Sequence, residues 1–63
     1  MLNIKKLRKQ KGLTLGALSK ETTLSSGYIS DLENGTKTNP SINTLQKLAN
    51  ALKVSINDLL EAS

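Results

Sequence analysis

Residues 39–52 constrain the fold more than any other stretch of this sequence. Asn39 precedes Pro40, which pushes it out of helical geometry. Ser41 then stands where a helix N-cap is wanted. Behind it apolar residues recur at Ile42, Leu45, Leu48, Ala49 and Leu52. Spacings of three and four put them in one stripe along a helix. A stripe of that length must be covered, so the rest of the chain is read for what can cover it.

Four shorter helical segments, each with its own punctuation, are available. Ile4 and Leu7 repeat at i, i+3 between Asn3, a candidate N-cap, and Gly12, a candidate stop. Thr14 heads a second segment with Leu15 and Leu18 inward, and the β-branched pair Thr22–Thr23 is a poor place to continue it. Ser25 heads a third, with Ile29 and Leu32 inward. Asn34–Gly35 closes it, because both residues tolerate the left-handed conformation of a helix end. Ser55 heads a fifth, with Asp58 placed for a near capping box and Ile56, Leu59 and Leu60 inward. No stretch alternates as a strand requires, and nothing repeats. The expectation is an all-α, compact five-helix fold, one small domain over residues 1–63, its core drawn mostly from twelve leucines. A chain of this size buries only about 60% of the surface its unfolded form exposes, so stability is modest.

Composition removes whole classes of function. There is no Cys, His, Trp or Phe, and Tyr28 is the sole aromatic residue. Disulfides, Cys/His zinc sites and catalysis by His or Cys are excluded. Asp31 and Glu33, two apart on a helix, point in different directions. The GxxxG of Gly12 and Gly16 carries little weight in so charged a setting, and Asn34-Gly35-Thr36 reads as a helix end before a sequon. No phosphate loop and no metal-ligand cluster is present. An enzyme is not expected, nor a cofactor, metal or small-molecule substrate. No apolar run approaches the roughly 18 residues of a membrane span, and no signal-peptide core follows Met1. A soluble, intracellular protein away from membranes is expected.

The net charge of +4 is unevenly placed. Lys5, Lys6, Arg8, Lys9 and Lys11 all precede Gly12, whereas the remainder is close to balanced. A basic end on a balanced body suits a polyanion partner, although a solvated helix face is the commoner reason for such a run. The segment Leu15–Asn34 is a short helix, a tight connection and a second short helix, locked by Leu18, Leu24, Ile29 and Leu32. That is the layout of a helix-turn-helix, and equally of an ordinary αα-hairpin; periodicity does not separate them.

Three stretches carry a resemblance that does: IKKLRKQKGLTLGALS (Ile4–Ser19), LSSGYISDLENG (Leu24–Gly35) and NPSINTLQKLANALKVSINDLL (Asn39–Leu60). In order and spacing the chain resembles the lambda-repressor-like (Xre-type) helix-turn-helix family of phage and bacterial regulators. YISDLENG followed by Asn39-Pro40-Ser41 is the most specific part. There are departures. Leu15 stands where the family usually has a phosphate-holding Gln. Ser19 replaces a favoured Ala, and Thr23 a favoured Gly in the turn. A β-branched residue resists positive φ, so a somewhat different turn is expected at Thr23.

The resemblance implies sequence-specific binding of double-stranded DNA by a cytoplasmic, nucleoid-associated transcriptional repressor, with the third helix in the major groove. It puts base reading at Ser26, Gly27 and Asp31. On a helical wheel with Ile29 and Leu32 inward, Gly27 and Asp31 face outward and Ser26 lies at the edge. Ser26 can donate or accept, Gly27 allows close approach, and Asp31 can accept from a cytosine amine. Asp31 also repels phosphate, and pairing with a nearby Lys is an equal reading. Phosphate contacts are expected from Thr14 and Leu15 at one helix start, Ser25 at the next, Tyr28, the loop residues Asn34, Lys37, Thr38 and Asn39, and Lys11. Packing against the second helix is the other reading of Tyr28. Arg8 and Glu33 are implied as a structural ion pair.

Family members bind as two-fold dimers, which points to a homodimer on a palindromic operator with Ile56 and Leu60 as candidate contacts. Core closure is the competing reading for both. The alternative function is a protein-interaction module on the same fold, antitoxin-like or regulator-binding. The donor-poor face around Asp31 and the slightly negative charge beyond the first helix keep it open.

Overall fold

The computed structural model describes residues 2–60. Five helices follow one another: α1 (Ile4–Gln10), α2 (Leu15–Thr22), α3 (Ser26–Asn34), α4 (Ile42–Leu52) and α5 (Ile56–Leu60). Among the described residues there is no strand. The apolar stripe of α4 forms the centre: Leu45, Leu48, Ala49 and Leu52 are buried against Ile4 of α1, Leu18 of α2, Ile29 and Leu32 of α3 and Leu59 of α5. α2 packs on both α3 and α4, so the α2–α3 pair is braced from behind.

Local chemistry explains where the helices start. Thr14 Oγ1 accepts from Ala17 N at 3.0 Å, Ser25 Oγ from Tyr28 N at 3.1 Å and Ser41 Oγ from Thr44 N at 3.2 Å. At α5 the box is reciprocal, with Asp58 N donating to Ser55 Oγ and Ser55 N to Asp58 Oδ2, both at 3.1 Å. Each such cap contributes about 1 kcal/mol. Asn3 departs from expectation. Its side chain makes no cap hydrogen bond to α1. Instead Asn3 N donates to the Leu59 carbonyl at 2.8 Å, tying the start of α1 to α5.

The helix ends hold two further surprises. Gly12 and Gly35 take positive φ, 70° and 81°, as stop residues do. Thr23 does so too, at φ 62°, where a different turn was expected. Lys53 closes α4 at φ 58°, with Val54 N reaching back to the Ala49 carbonyl at 3.0 Å in a Schellman arrangement. Nothing in the type of residue at 53 announces that role.

Two residues expected inward are not. Ile42 is 70% exposed, and its neighbours Ser41 and Asn43 at the start of α4 are exposed too. Leu60 is 49% exposed. Leu59 takes the core position, and one further residue turns about 100° away from it.

Candidate nucleic-acid interface

The first turns of α2 and α3 are built alike. A helix leaves its first N–H groups without intrahelical partners. At α2 the cap takes Ala17 N and the Thr14 carbonyl takes Leu18 N, leaving the N–H groups of Leu15 and Gly16 without an intrahelical partner. At α3 the Ser25 cap takes Tyr28 N and the Ser25 carbonyl takes Ile29 N, leaving Ser26 and Gly27. Thr14, Gly16, Ser25, Ser26 and Gly27 are all exposed. Each of the two helix starts presents a positive dipole end that favours an anion.

The structure sorts the remaining expected residues by exposure. Lys11, Asn34, Lys37, Thr38 and Asn39 are exposed; Leu15, Tyr28 and Asp31 are half-buried. Leu15 and Tyr28 pack against the core, so the packing reading of Tyr28 has physical content. Lys37 N donates to the Asp31 carbonyl at 3.2 Å, folding the loop after α3 back onto the helix. Asn34 Nδ2 donates to Ser30 Oγ at 3.3 Å along the outer side of α3. Among the described residues, Asp31 forms no ion pair. Ile56 is half-buried against the core, whereas Leu60 stands out, so of these two Leu60 alone offers a bare apolar surface.

Arg8 and Glu33 meet as expected. Arg8 Nε donates to Glu33 Oε2 at 2.7 Å and Nη2 to Oε1 at 3.2 Å. Their side chains are only 11% and 4% exposed. A third bond escaped the sequence reading: Arg8 Nη1 donates to the Leu13 carbonyl at 2.9 Å. One guanidinium therefore joins α1, the turn into α2 and the end of α3. Its pKa is raised, chiefly by the Glu33 hydrogen bond, with burial opposing and the Glu33 charge adding. Sequence reasoning also missed the hydroxyl contacts at the α2–α3 turn. A signal was present in Ser19 and Thr23, two hydroxyls where the family favours Ala and Gly.

The Helix-turn-helix family model matches residues 4–59. The chain belongs to the lambda-repressor-like helix-turn-helix family. This is a family of transcriptional regulator domains and not of enzymes. Helix-turn-helix relatives include the transcriptional regulator DdrOP3 of Deinococcus deserti, 43% identical over 92% of this chain and 44% of its own length. The regulator SinR of Bacillus subtilis is 40% identical over 92% of this chain and 52% of its own. The chain thus spans about half the length of these relatives. A crystal structure of SinR, the master regulator for biofilm formation, in complex with DNA superposes with TM-score 0.89. That match is 39% identical and covers 94% of each chain. SinR in a SinR–SinI protein complex superposes with TM-score 0.88 at 39% identity, over 94% of this chain and 57% of that one. The α2–α3 unit is therefore the helix-turn-helix, and the plain αα-hairpin reading is set aside.

Proposed function

We propose that this chain binds double-stranded DNA sequence-specifically as the reading module of a transcriptional repressor, with α3 in the major groove. The observation that carries the reading is the likeness to DNA-bound SinR over 94% of both chains. The exposed, capped starts of α2 and α3 support it. In this reading the N–H groups and hydroxyls of Thr14, Leu15 and Ser25 hold phosphates, with Asn34, Lys37, Thr38, Asn39 and Lys11 clamping the flanking backbone. Tyr28 adds its hydroxyl. Ser26, Gly27 and Asp31 meet base edges. Neither Ser26 nor Gly27 forms a bidentate base contact, so one module discriminates weakly. Two copies on a palindromic operator, half-sites about one helical turn apart, supply the rest. Leu60 at the end of α5, with Ile56 behind it, is the candidate contact between copies.

Selection from random duplexes, repeated at several salt concentrations, tests this. Enrichment of a palindrome is expected, with log affinity falling against log salt by about 0.9 per phosphate contact. Folded protein that binds no duplex at low salt refutes it.

A second reading rests on a specific surface. Leu60, 49% exposed, borders a shallow groove of about 250 Å³ lined by Leu2, Leu32, Gly35, Lys37, Thr38 and Leu60. SinR has been seen with a protein partner, SinI. A protein ligand on this groove is the alternative, and dependence of binding on Leu60 with indifference to Ser26 would favour it.

A further inference from the structure

The connection between α2 and α3 is unusual in its chemistry. Thr23 is exposed and sits at φ 62°, a left-handed position that disfavours a β-branched residue. The residue after it, Leu24, is gripped at both backbone polar groups. Its N–H donates to Thr22 Oγ1 at 3.3 Å, and its carbonyl accepts from Ser19 Oγ. Thr22 is itself buried and fixed, donating its hydroxyl to the Leu18 carbonyl at 2.7 Å. Two hydroxyls one turn apart on α2 thus hold the peptide that enters the Ser25 cap of α3. Ser19 is half-buried in this turn, and its hydroxyl points to the Leu24 carbonyl.

We propose that Ser19 is a positioning residue: with Thr22 it clamps Leu24, and so fixes the entry of α3 that a left-handed Thr23 would otherwise leave free to relax. The inference rests on the DNA-binding reading above. Glycine reaches the left-handed region without strain, so a turn with Gly at this position has no need of such a clamp. With Thr23 it does, because loss of the Ser19 bond opens other turn conformations. Only the fraction of molecules with α3 correctly set then reads the operator, and apparent affinity falls in proportion. Non-specific binding depends mainly on charge and is indifferent to this setting.

The test compares the parent with Ser19→Ala, Ser19→Thr, Thr23→Gly and the double variant Ser19→Ala/Thr23→Gly. Each is titrated with the duplex selected by the parent and with a scrambled duplex, well below every melting temperature. Ser19→Ala is expected to weaken the selected duplex about threefold to tenfold, the range of one hydrogen bond, and to leave the scrambled duplex unchanged. Ser19→Thr, which keeps the hydroxyl, recovers most of the affinity. In the Thr23→Gly background the effect of Ser19→Ala shrinks to within about twofold, because the turn no longer needs the bond. Equal affinity of parent and Ser19→Ala for the selected duplex overturns the proposal, as does an equal loss on both duplexes. Should Ser19→Ala alone not fold, amide exchange in the parent decides: Leu24 protected well above Thr23 supports the clamp, and both equally open refute it. A parent that binds no duplex overturns the DNA reading itself, a different result from a parent that binds and a variant that matches it.

Discussion

Glu33→Gln isolates the tie that holds the helix-turn-helix to α1. It removes one charge from the Arg8–Glu33 pair, keeps its size, and leaves the guanidinium only 11% exposed. Breaking a buried pair from one side costs about 3–5 kcal/mol, because the remaining charge is left without compensation. The amide oxygen still accepts one guanidinium hydrogen bond, which puts this variant at the low end, about 3 kcal/mol. At about 0.05–0.15 kcal/mol per residue, a chain of 63 residues has only about 3–9 kcal/mol in total. The variant is therefore expected to melt about 12–24 °C lower, or not to fold at all. Urea and thermal unfolding followed by far-ultraviolet circular dichroism measure it. The paired replacement Arg8→Met/Glu33→Leu removes both charges and is expected to recover most of the loss. A Glu33→Gln variant that melts within about 4 °C of the parent refutes the reasoning.

The same pair fixes a pH dependence. Arg8 holds its proton more tightly folded than unfolded, first through the Glu33 hydrogen bond. A raised folded pKa gives stability that is complete below the unfolded value and lost only as pH passes the folded one. Both lie above the range in which the protein is handled. The Arg8 contribution is therefore expected to stay constant from about pH 7 to about pH 10, read as an unchanged difference between parent and Glu33→Gln. A difference that shrinks across that window contradicts the assignment.

Further outcomes follow from single positions. Leu48→Ala, at a fully buried site, is expected to cost about 2–5 kcal/mol in urea unfolding, whereas Ile42→Ser stays within about 0.5 kcal/mol. Thr23→Gly relieves a left-handed β-branched residue and is expected to raise the melting temperature by several degrees, about 0.5–1 kcal/mol after glycine's own entropy. Lys37→Gln is expected to lower the salt slope of duplex binding by about 1 without altering the selected sequence. Gly27→Ala, in the first turn of α3, meets no atom within 4 Å, so stability is expected to stay within about 0.5 kcal/mol while affinity for the selected duplex falls.

Much of this was legible in the sequence, and the reasons differ by element. The α4 stripe and the caps at Thr14, Ser25, Ser41 and Ser55 are local signals, and all four hydroxyls bond as their spacing requires. Arg8–Glu33 is not local. Twenty-five residues separate the partners, and only the family resemblance joined them. Ile42 and Leu60 were misplaced because periodicity gives the direction of a side chain but not where its cover ends. Thr23 was misjudged because propensity was weighed without its neighbours. Ser19 and Thr22, which hold the next residue, lie outside any single-residue rule.

Gly16 and Gly27 show how far the fold and the candidate interface can be told apart. Each lies in the first turn of a helix, where glycine is no better a helix former than alanine. Neither has the positive φ that makes glycine necessary at Gly12 and Gly35. A Cβ at Gly27 would meet nothing within 4 Å, and at Gly16 only the Thr14 hydroxyl at 3.9 Å. Packing therefore gives no reason for either residue, and backbone geometry gives none. Both stand exposed beside the unpartnered N–H groups of the same two helix starts. What glycine does offer there is closeness: without a side chain, a phosphate or a base edge can approach the backbone donors directly. The residues that the fold leaves unexplained lie at the two helix starts proposed above to meet DNA, on a pair of helices that α4 and the Arg8 tie hold to the rest of the fold.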